Sequence, residues 1–451
     1  MDNNIFDKKV KSVHIVGVGG VSTSSLAEYL MLNGYAVSGS DLIQNERINE
    51  LVKKGLKFKL GHRARNVKGA QSVVYTSAVN RFNPEIKLAI KKNVPLVKRS
   101  ELLGQIISGH KKSVAISGCH GKTTATAMLA NVLTLANLNP TTFIGGEDCS
   151  LGSFNLGNGE YAVVEACEYK KNFLDIKATY SVILNIDNDH LDTFSDIDDT
   201  VKAFSDFCAN SIAIINADDE NCAKIYNPTT VTFGINNSAV YTAKNLKRNK
   251  TGYSFNVYAY SRPMEKINLK VIGKHNVYNA LSAIAVCDIM GVNFGTIKRA
   301  LENFRGVKRR AEYLGNVFGA EIFADYAHHP KEIVATLSAF SENFDRIGVI
   351  FQPHTYSRTK FLMEDFVSAL KNYNNVIYAT YPAREEYDAK GDALTLYSNL
   401  KKQSKYSEYC QTPQDLLEKT KRLCLNVQSV IVMGAGDIYQ IFKDVVLQKT
   451  N

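Results

Sequence analysis

A short glycine loop followed by a lysine and two threonines carries the clearest chemistry in the sequence. The β-branched run 113–117 leads into this loop, and the residues 125–136 after it read as a helix. A glycine turn between a strand and a helix lets backbone N–H groups and the helix N-terminus approach an anion. We therefore expect nucleotide phosphates here, with Lys122 at the outer phosphates and the hydroxyl of Thr123 on Mg²⁺. The residues of the predicted phosphate site are Gly118, Cys119, His120, Gly121, Lys122, Thr123 and Thr124.

The spacing of the glycines differs from that of the usual phosphate loop. Two residues separate Gly118 from Gly121, whereas four separate the glycines of the common G-x-x-x-x-G-K-[ST] pattern. The alternative is a structural turn beside a chance lysine. The strand before the loop and the helix after it favour phosphate binding.

Two ionisable residues follow the apolar strands that come after this loop. Glu165 ends the run 161–165, and His190 follows the run 180–186. Because the carboxyl ends of parallel strands share one edge of a sheet, both side chains would meet the nucleotide. A carboxylate and a neutral imidazole suit Mg²⁺ bound to ATP, so Thr123, Glu165 and His190 are the predicted metal ligands. A solvated glutamate and a structural histidine are the alternatives.

Histidines gather in two loops of the last third of the chain. The segment 325–330 reads Asp-Tyr-Ala-His-His-Pro, and 352–358 reads Gln-Pro-His-Thr-Tyr-Ser-Arg; each follows a predicted strand. Open α/β sheets bind ligands at this position. The side chains of His328, His354 and Arg358 suit an anionic centre whose charge grows during a reaction. Surface histidines without a function are the alternative.

A second glycine turn lies near the N-terminus. The strand 12–16 is followed by Gly-Val-Gly-Gly at 17–20, and Asp41 ends the next strand. A diphosphate or nucleotide is expected at such a turn, with an acid about twenty residues on near the ribose. A purely structural turn and a helix-capping aspartate are the alternatives.

Composition restricts the class of protein. The chain has 451 residues and a formal net charge of +10, but its lysines form no dense run. Phosphate-bearing small substrates explain a basic surface as well as nucleic acid does.

The eight cysteines of the chain lack C-x-x-C pairs and zinc-site spacing, which indicates reduced thiols. No apolar stretch reaches the roughly eighteen residues of a membrane span, and the first residues lack a signal-peptide core. We therefore expect a cytoplasmic protein without nucleic-acid or membrane partners.

The order of predicted elements indicates three α/β segments. Strands alternate with helices in the first and last segments, which predicts parallel, doubly wound sheets. The middle segment holds the lysine loop and becomes β-rich after residue 216, up to the helix 275–290. The length also favours two or three domains. We place the boundaries at 1–109, 110–308 and 309–451.

Eight motifs together resemble the Mur ligase family of bacteria over residues 12 to 440. In chain order they are Val16-Gly-Val-Gly-Gly20, Gly118-Cys-His-Gly-Lys-Thr-Thr124, Asp189-His190, Gly273-Lys-His-Asn-Val-Tyr-Asn279, Gly306-Val-Lys-Arg-Arg310, Asp325-Tyr-Ala-His-His-Pro330, Phe351-Gln-Pro-His354 and Met433-Gly-Ala-Gly-Asp437. The resemblance is greatest to members that add L-alanine to UDP-N-acetylmuramate. The chain departs from the family pattern at Cys119, where many members have Thr or Asn, and at Thr355, where Arg is common.

The resemblance implies a fold, a reaction and a set of site residues. The three segments would be a Rossmann-like UDP-sugar domain, a central P-loop ATPase domain with a small β-rich part, and a C-terminal Rossmann-like amino-acid domain. ATP and Mg²⁺ would activate the lactyl carboxylate of UDP-N-acetylmuramate as an acyl phosphate for attack by L-alanine, a step of peptidoglycan precursor synthesis. By motif position, Lys122, His328, His354 and Arg358 would be catalytic; Asn276, Asn279, Arg310 and Asp325 would bind adenine, ribose and phosphates; and Gly17, Gly19, Gly20, Asp41, His62 and Ser77 would contact the UDP-sugar.

Two other functions are compatible with the sequence. A related ligase could add a peptide such as the murein tripeptide. An NAD-dependent oxidoreductase could use the turn 17–20, although that function leaves the Lys122 loop without a role.

Overall fold

The computed structural model describes residues 4–7, 9–187, 193–249, 252–383, 385–404 and 406–447. His190, a predicted metal ligand, lies outside the described residues. Within the described ranges the chain forms three β-sheets, and no helix there combines the length and the apolarity needed to cross a bilayer. The fold is therefore α/β with three largely parallel sheets, as the sequence predicts.

The first sheet is parallel throughout and has the order β3-β2-β1-β4-β5. Its elements are β1 (Ser12–Val16), α1 (Val21–Leu32), β2 (Ala36–Asp41), α2 (Glu46–Lys53), β3 (Lys57–Leu60), a 3₁₀ helix (Ala64–Val67), β4 (Ser72–Tyr75), α3 (Pro84–Lys91), β5 (Leu96–Lys98) and α4 (Arg99–Ser108). The order reverses at β1, so the turn between β1 and α1 lies at the switch point where such sheets bind ligands.

The second sheet has the order β15-β14-β13-β12-β11-β10-β6-β9-β7-β8. Its elements are β6 (Lys112–Ser117), α5 (Lys122–Leu135), β7 (Thr141–Asp148), β8 (Gly152–Asn155), β9 (Tyr161–Glu165), a 3₁₀ helix (Tyr169–Asp175), β10 (Tyr180–Ile183), α6 (Ile197–Cys208), β11 (Ile212–Asn216), a 3₁₀ helix (Cys222–Lys224), β12 (Thr230–Gly234), β13 (Tyr241–Asn249), β14 (Gly252–Ala259), β15 (Arg262–Leu269), α7 (His275–Ile289) and α8 (Phe294–Asn303). Strand β6 pairs in parallel with both β9 and β10. The carboxyl ends of these three strands therefore meet at one edge.

The third sheet has the order β16-β17-β21-β18-β19-β20 and is parallel except for the first pair. Its elements are β16 (Glu312–Val317), β17 (Ala320–Asp325), α9 (Pro330–Ser341), β18 (Ile347–Phe351), α10 (Tyr356–Phe361), α11 (Met363–Leu370), β19 (Asn374–Tyr378), a 3₁₀ helix (Ala389–Gly391), α12 (Ala393–Leu400), β20 (Ser407–Cys410), α13 (Pro413–Cys424), β21 (Ser429–Met433), α14 (Ile438–Phe442) and a π-helix (Lys443–Leu447). Strands β17 and β18 both end beside β21, which brings the two histidine loops to one edge.

The chain divides into two compact units. The first comprises 1–246, 255–269 and 275–304, and the second 247–254, 270–274 and 305–451. The first and second sheets thus share a unit and a core, in which Phe173 packs between Phe204 and Phe207. In the second unit, Ile350 and Phe351 point to opposite faces of the third sheet, and each face has its own apolar cluster.

Candidate active site

The glycine loop has the conformation that the sequence predicts. Gly118 and Gly121 have φ values of +138° and +86°, and α5 begins at Lys122. A Cβ on Gly121 would lie 2.6 Å from Oδ1 of Asn279. Glycine is required there both by the left-handed backbone and by the close approach of α7. Thr123 and Thr124 lie in the first turn of α5, beside the loop.

The Lys122 side chain folds over the loop and is nearly buried. Its Nζ donates to the carbonyl oxygens of Gly118 (2.5 Å) and Cys119 (3.2 Å) and to Oε1 of Glu168 (2.9 Å). Burial acts to lower the pKa of Lys122, but the nearby carboxylates of Glu168 and Glu165 outweigh it, so the pKa is raised. The site therefore holds a buried ammonium at a helix N-terminus.

Sequence reasoning missed Glu168, which is the carboxylate partner of that ammonium. It lies three residues beyond β9 and is 1% exposed. A carboxylate so deeply buried is normally paired, and its position just after a strand that ends in Glu165 was the available indication.

Asn185 follows strand β10 and holds the loop by hydrogen bonds. Its side chain accepts a hydrogen bond from His120 N (2.8 Å) and donates one to His120 O (2.9 Å), while its carbonyl accepts from Cys119 N (3.2 Å). The strand predicted over 180–186 ends at Ile183, and Asn185 makes these contacts from beyond its end. Cys119 Sγ lies 3.2 Å from the backbone nitrogen of Asp187.

Two of the three predicted metal ligands lie in the described part of the chain. Glu165 ends β9, and its Oε2 accepts a hydrogen bond from Gly145 N (3.1 Å); a Cβ on Gly145 would collide with this carboxylate. The hydroxyl of Thr123 and the carboxylate of Glu165 are hard oxygen donors, which fit Mg²⁺. Across the described residues there is no cluster of three His, Cys, Asp or Glu side chains able to hold a metal.

The predicted adenine ligands, Asn276 and Asn279, lie together on α7. Asn279 Nδ2 donates to Asn276 Oδ1 (2.9 Å), and both side chains are buried. The structure brings Asn279 against the phosphate loop through Gly121. The other two predicted nucleotide ligands, Arg310 and Asp325, lie in the second unit.

The N-terminal glycine turn is held by the end of β2. Gly17 has φ +79° and donates its N–H to the carbonyl of Ser40 (2.8 Å), and Gly19 donates its N–H to Oδ2 of Asp41 (2.9 Å). Gly20 precedes α1 as its N-cap. Asp41 is not a helix cap, since Asn45 caps α2. Its predicted contact with a ribose stays a prediction.

The two other predicted UDP-sugar residues are His62 and Ser77. Nδ1 of His62 lies 3.0 Å from Ser40 Oγ. The carbonyl of Ser77 accepts a hydrogen bond from Nζ of Lys170 (3.0 Å). Lys170 follows Glu168 by two residues. Sequence reasoning did not single out Lys170.

In the second unit the two histidine loops come together as predicted. The rings of His328 and His354 are 5.8 Å apart, and His354 stacks on Tyr381 at 5.4 Å. Burial lowers the pKa of His328, and burial together with the neighbouring imidazole of His328 and the guanidinium of Arg358 lowers the pKa of His354 to about 4. Both imidazoles are therefore neutral near pH 7.

Two nitrogen atoms of this histidine site lack a hydrogen-bond partner. In the described part of the chain, His354 Nδ1 and Arg358 Nη1 are buried and make no hydrogen bond. A buried polar atom without a partner costs free energy, so a ligand that supplies the missing bonds is favoured here. A ligand could therefore form a hydrogen bond with His354 Nδ1 and place an anionic oxygen at Arg358 Nη1.

Asp325 forms hydrogen bonds with the backbone around these loops. Its carboxylate accepts hydrogen bonds from Ala311 N and Ala327 N, both at 2.9 Å. Arg310 lies next to Ala311, with its guanidinium 5.7 Å from the ring centroid of Tyr326. The predicted ribose and phosphate contacts of Arg310 and Asp325 stay predictions.

Three family profiles match successive parts of the chain. They are described as "Mur ligase family, catalytic domain" (12–111), "Mur ligase middle domain" (116–287) and "Mur ligase, glutamate ligase domain" (309–436).

Curated relatives and solved structures match almost the whole chain. UDP-N-acetylmuramate–L-alanine ligase of Acetivibrio thermocellus is 40% identical over 96% of this chain and 95% of its own length, and that of Aquifex aeolicus is 37% identical over 98% and 99%. The crystal structure of UDP-N-acetylmuramate-alanine ligase from Thermotoga maritima has a TM-score of 0.82 at 31% identity, covering 97% of this chain and 99% of that one. A murein peptide ligase from Psychrobacter arcticus shares the fold, with a TM-score of 0.69 at 22% identity over 96% and 98% of the two chains.

Proposed function

Because this chain belongs to the Mur ligase family, we propose that it joins L-alanine to the lactyl carboxylate of UDP-N-acetylmuramate at the expense of ATP. The observation that carries the proposal is the identity near 40%, over almost the whole chain, to curated ligases of that name. The product would be a peptidoglycan precursor, and the proposed location is the cytoplasm. We assign the UDP-sugar to residues 1–109, ATP to 110–308 and L-alanine to 309–451.

The Lys122 loop supplies the chemistry of carboxylate activation. In the proposed reaction the lactyl carboxylate attacks the γ-phosphorus of ATP, and the bond to ADP breaks to give an acyl phosphate. Negative charge accumulates on the transferring oxygens, and a buried ammonium beside loop N–H groups stabilises it without reorganisation. Lys122 meets this requirement, and the carbonyl oxygens that it now contacts hold it at the loop.

Thr123 and Glu165 would hold Mg²⁺ with His190. The ion would neutralise phosphate charge and orient ATP for in-line transfer. The carboxylate of Glu165 is already aimed by the N–H of Gly145, and Gly145 leaves space where a side chain would collide with that carboxylate.

The histidine site of the second unit suits the amino acid. The L-alanine amine must be neutral to attack the acyl carbonyl, and phosphate leaves as the amide forms. A neutral imidazole, His328 or His354, is able to accept the amine proton, while Arg358 is suited to an anionic oxygen. The unpartnered nitrogens of His354 and Arg358 support this assignment.

Phosphate release tests the proposal directly. The enzyme, ATP, Mg²⁺ and UDP-N-acetylmuramate are mixed with L-alanine, L-serine, glycine or the murein tripeptide in turn. Release that depends on L-alanine is expected, and release with the tripeptide alone would indicate the peptide ligase instead. In a parallel assay that contains NADH, a change in its absorbance with no phosphate release in the first assay would indicate an oxidoreductase.

A further inference from the structure

A buried carboxylate lies beneath the N-terminal glycine turn. Glu85, in the first turn of α3, is fully buried. Its Oε2 accepts a hydrogen bond from Ser40 Oγ (2.7 Å) and lies 3.1 Å from His62 Nδ1. Its Oε1 accepts from Asn66 Nδ2 (2.6 Å) and lies 3.8 Å from His14 Nε2. We call these five residues the Glu85 cluster.

The carboxyl group of Glu85 is ionised. Burial acts to raise its pKa, but the nearby imidazole of His14 and the hydrogen bonds from Ser40 and Asn66 outweigh burial and lower the pKa to about 2. Such a group acts as a hydrogen-bond acceptor at both oxygens.

The hydrogen-bond acceptors around His62 favour one tautomer of its ring. The Ser40 hydroxyl has one proton, which it donates to Glu85. The Nδ1 atom of His62 lies near two acceptors, the Ser40 oxygen (3.0 Å) and the Glu85 carboxylate (3.1 Å). A lone pair on Nδ1 would repel both, so Nδ1 carries the proton. In the neutral ring, Nε2 is then a hydrogen-bond acceptor.

The cluster is joined to the glycine turn through Ser40. The carbonyl of Ser40 accepts from Gly17 N (2.8 Å) and Val18 N (3.1 Å), while its hydroxyl joins Glu85 to His62. The His62 side chain is 16% exposed, and no residue in the described ranges bonds its Nε2. The ring therefore presents an acceptor at the edge of the sheet where the turn binds its ligand.

We propose that Glu85 is a positioning residue for the sugar nucleotide: it holds His62 as the Nδ1–H tautomer, so that Nε2 accepts a hydrogen bond from the bound uridine nucleotide. The donor is the uracil N3–H or the ribose 2′-hydroxyl. The inference rests on the proposed function, because it assigns UDP to this turn.

The test compares Glu85→Gln with wild type in the full-length protein, using UDP as the probe. The variant amide has an N–H that competes to donate to Nδ1, which favours the Nε2–H tautomer. Loss of one hydrogen bond to UDP weakens binding by about tenfold. We also expect a raised KM for UDP-N-acetylmuramate, an unchanged kcat at saturation and an unchanged KM for ATP. Long-range ¹⁵N–¹H spectra of the imidazoles report the tautomer.

Substitutions of His62 and two nucleotide analogues make the test specific. His62→Gln places an amide oxygen near the Nε2 position and should retain more UDP affinity than His62→Asn. N3-methyl-UDP lacks the uracil N3–H, and 2′-deoxy-UDP lacks the ribose 2′-hydroxyl. The analogue that lacks the group donating to His62 should bind wild type and Glu85→Gln with equal affinity, and this equality identifies the donor.

Several outcomes separate the two proposals. Failure of wild type to bind UDP would contradict the proposed function. If wild type binds UDP, a folded Glu85→Gln protein with unchanged UDP affinity and an unchanged His62 tautomer would overturn the positioning role. A lowered Tm with those two readouts unchanged shows a purely structural role and also overturns it, as does an equal loss of affinity for UDP and both analogues.

Discussion

Replacing Lys122 by Met should abolish most turnover and also lower stability. The substitution removes the ammonium that would stabilise the transferring phosphoryl group while keeping most of the length of the side chain. Loss of one such donor costs on the order of 3 kcal/mol, which corresponds to a reduction in kcat of about 150-fold. Phosphate release at saturating substrates measures this loss.

The structure predicts a second effect of the same substitution. The side chain of Glu168 is 2% exposed and 2.9 Å from Lys122 Nζ, so Lys122→Met leaves a buried carboxylate without that cation. Breaking a buried pair on one side costs about 3 kcal/mol or more. Thermal or urea unfolding of the variant should show a destabilisation of this size.

A double variant separates catalysis from stability. Lys122→Met with Glu168→Gln removes both charges, so most of the lost stability should return while turnover stays low. Glu168→Gln alone keeps the ammonium and its two loop carbonyls, and it should retain more activity than Lys122→Met. Turnover of a folded Lys122→Met protein within about threefold of wild type would refute the role of Lys122 in phosphoryl transfer.

Three other predictions concern the remaining sites. His354→Ala and Arg358→Ala should lower kcat/KM for L-alanine and leave the affinity for ATP unchanged; a large loss of ATP affinity with normal dependence on L-alanine would contradict this. Thiol reagents should inactivate the enzyme by alkylating Cys119 beside the start of α5, MgATP should protect it, and Cys119→Thr should stay active and resist; equal inactivation of both proteins would place the sensitive thiol elsewhere. Because the pKa of Glu85 is lowered from 4.5 to about 2, its ionisation contributes about 3 kcal/mol to the free energy of unfolding, fully present above pH 4.5 and lost as pH falls toward 2. The stability difference between wild type and Glu85→Gln should therefore shrink over that range in urea titrations, and a constant difference would argue against it.

The sequence by itself determined the local elements and the position of the chemistry. The strands β1 and β9 have the bounds that their β-branched, apolar runs predict. The glycine loop lies between a strand and a helix as expected. These features depend on interactions between residues close in sequence, so the type and spacing of side chains are enough to predict them.

The tertiary structure decided which polar groups meet. Lys122 pairs with Glu168 and Asn185 clamps His120 because β9 and β10 flank β6, an order that no local pattern encodes. Glu85 likewise meets His62 and Ser40 only when α3 lies against the ends of β2 and the segment after β3. From sequence alone, a charged residue is expected to be exposed to solvent. Whether it is buried depends on partners that are distant in the chain. The carboxylates that contact Lys122 and His62 therefore cannot be identified from local sequence patterns.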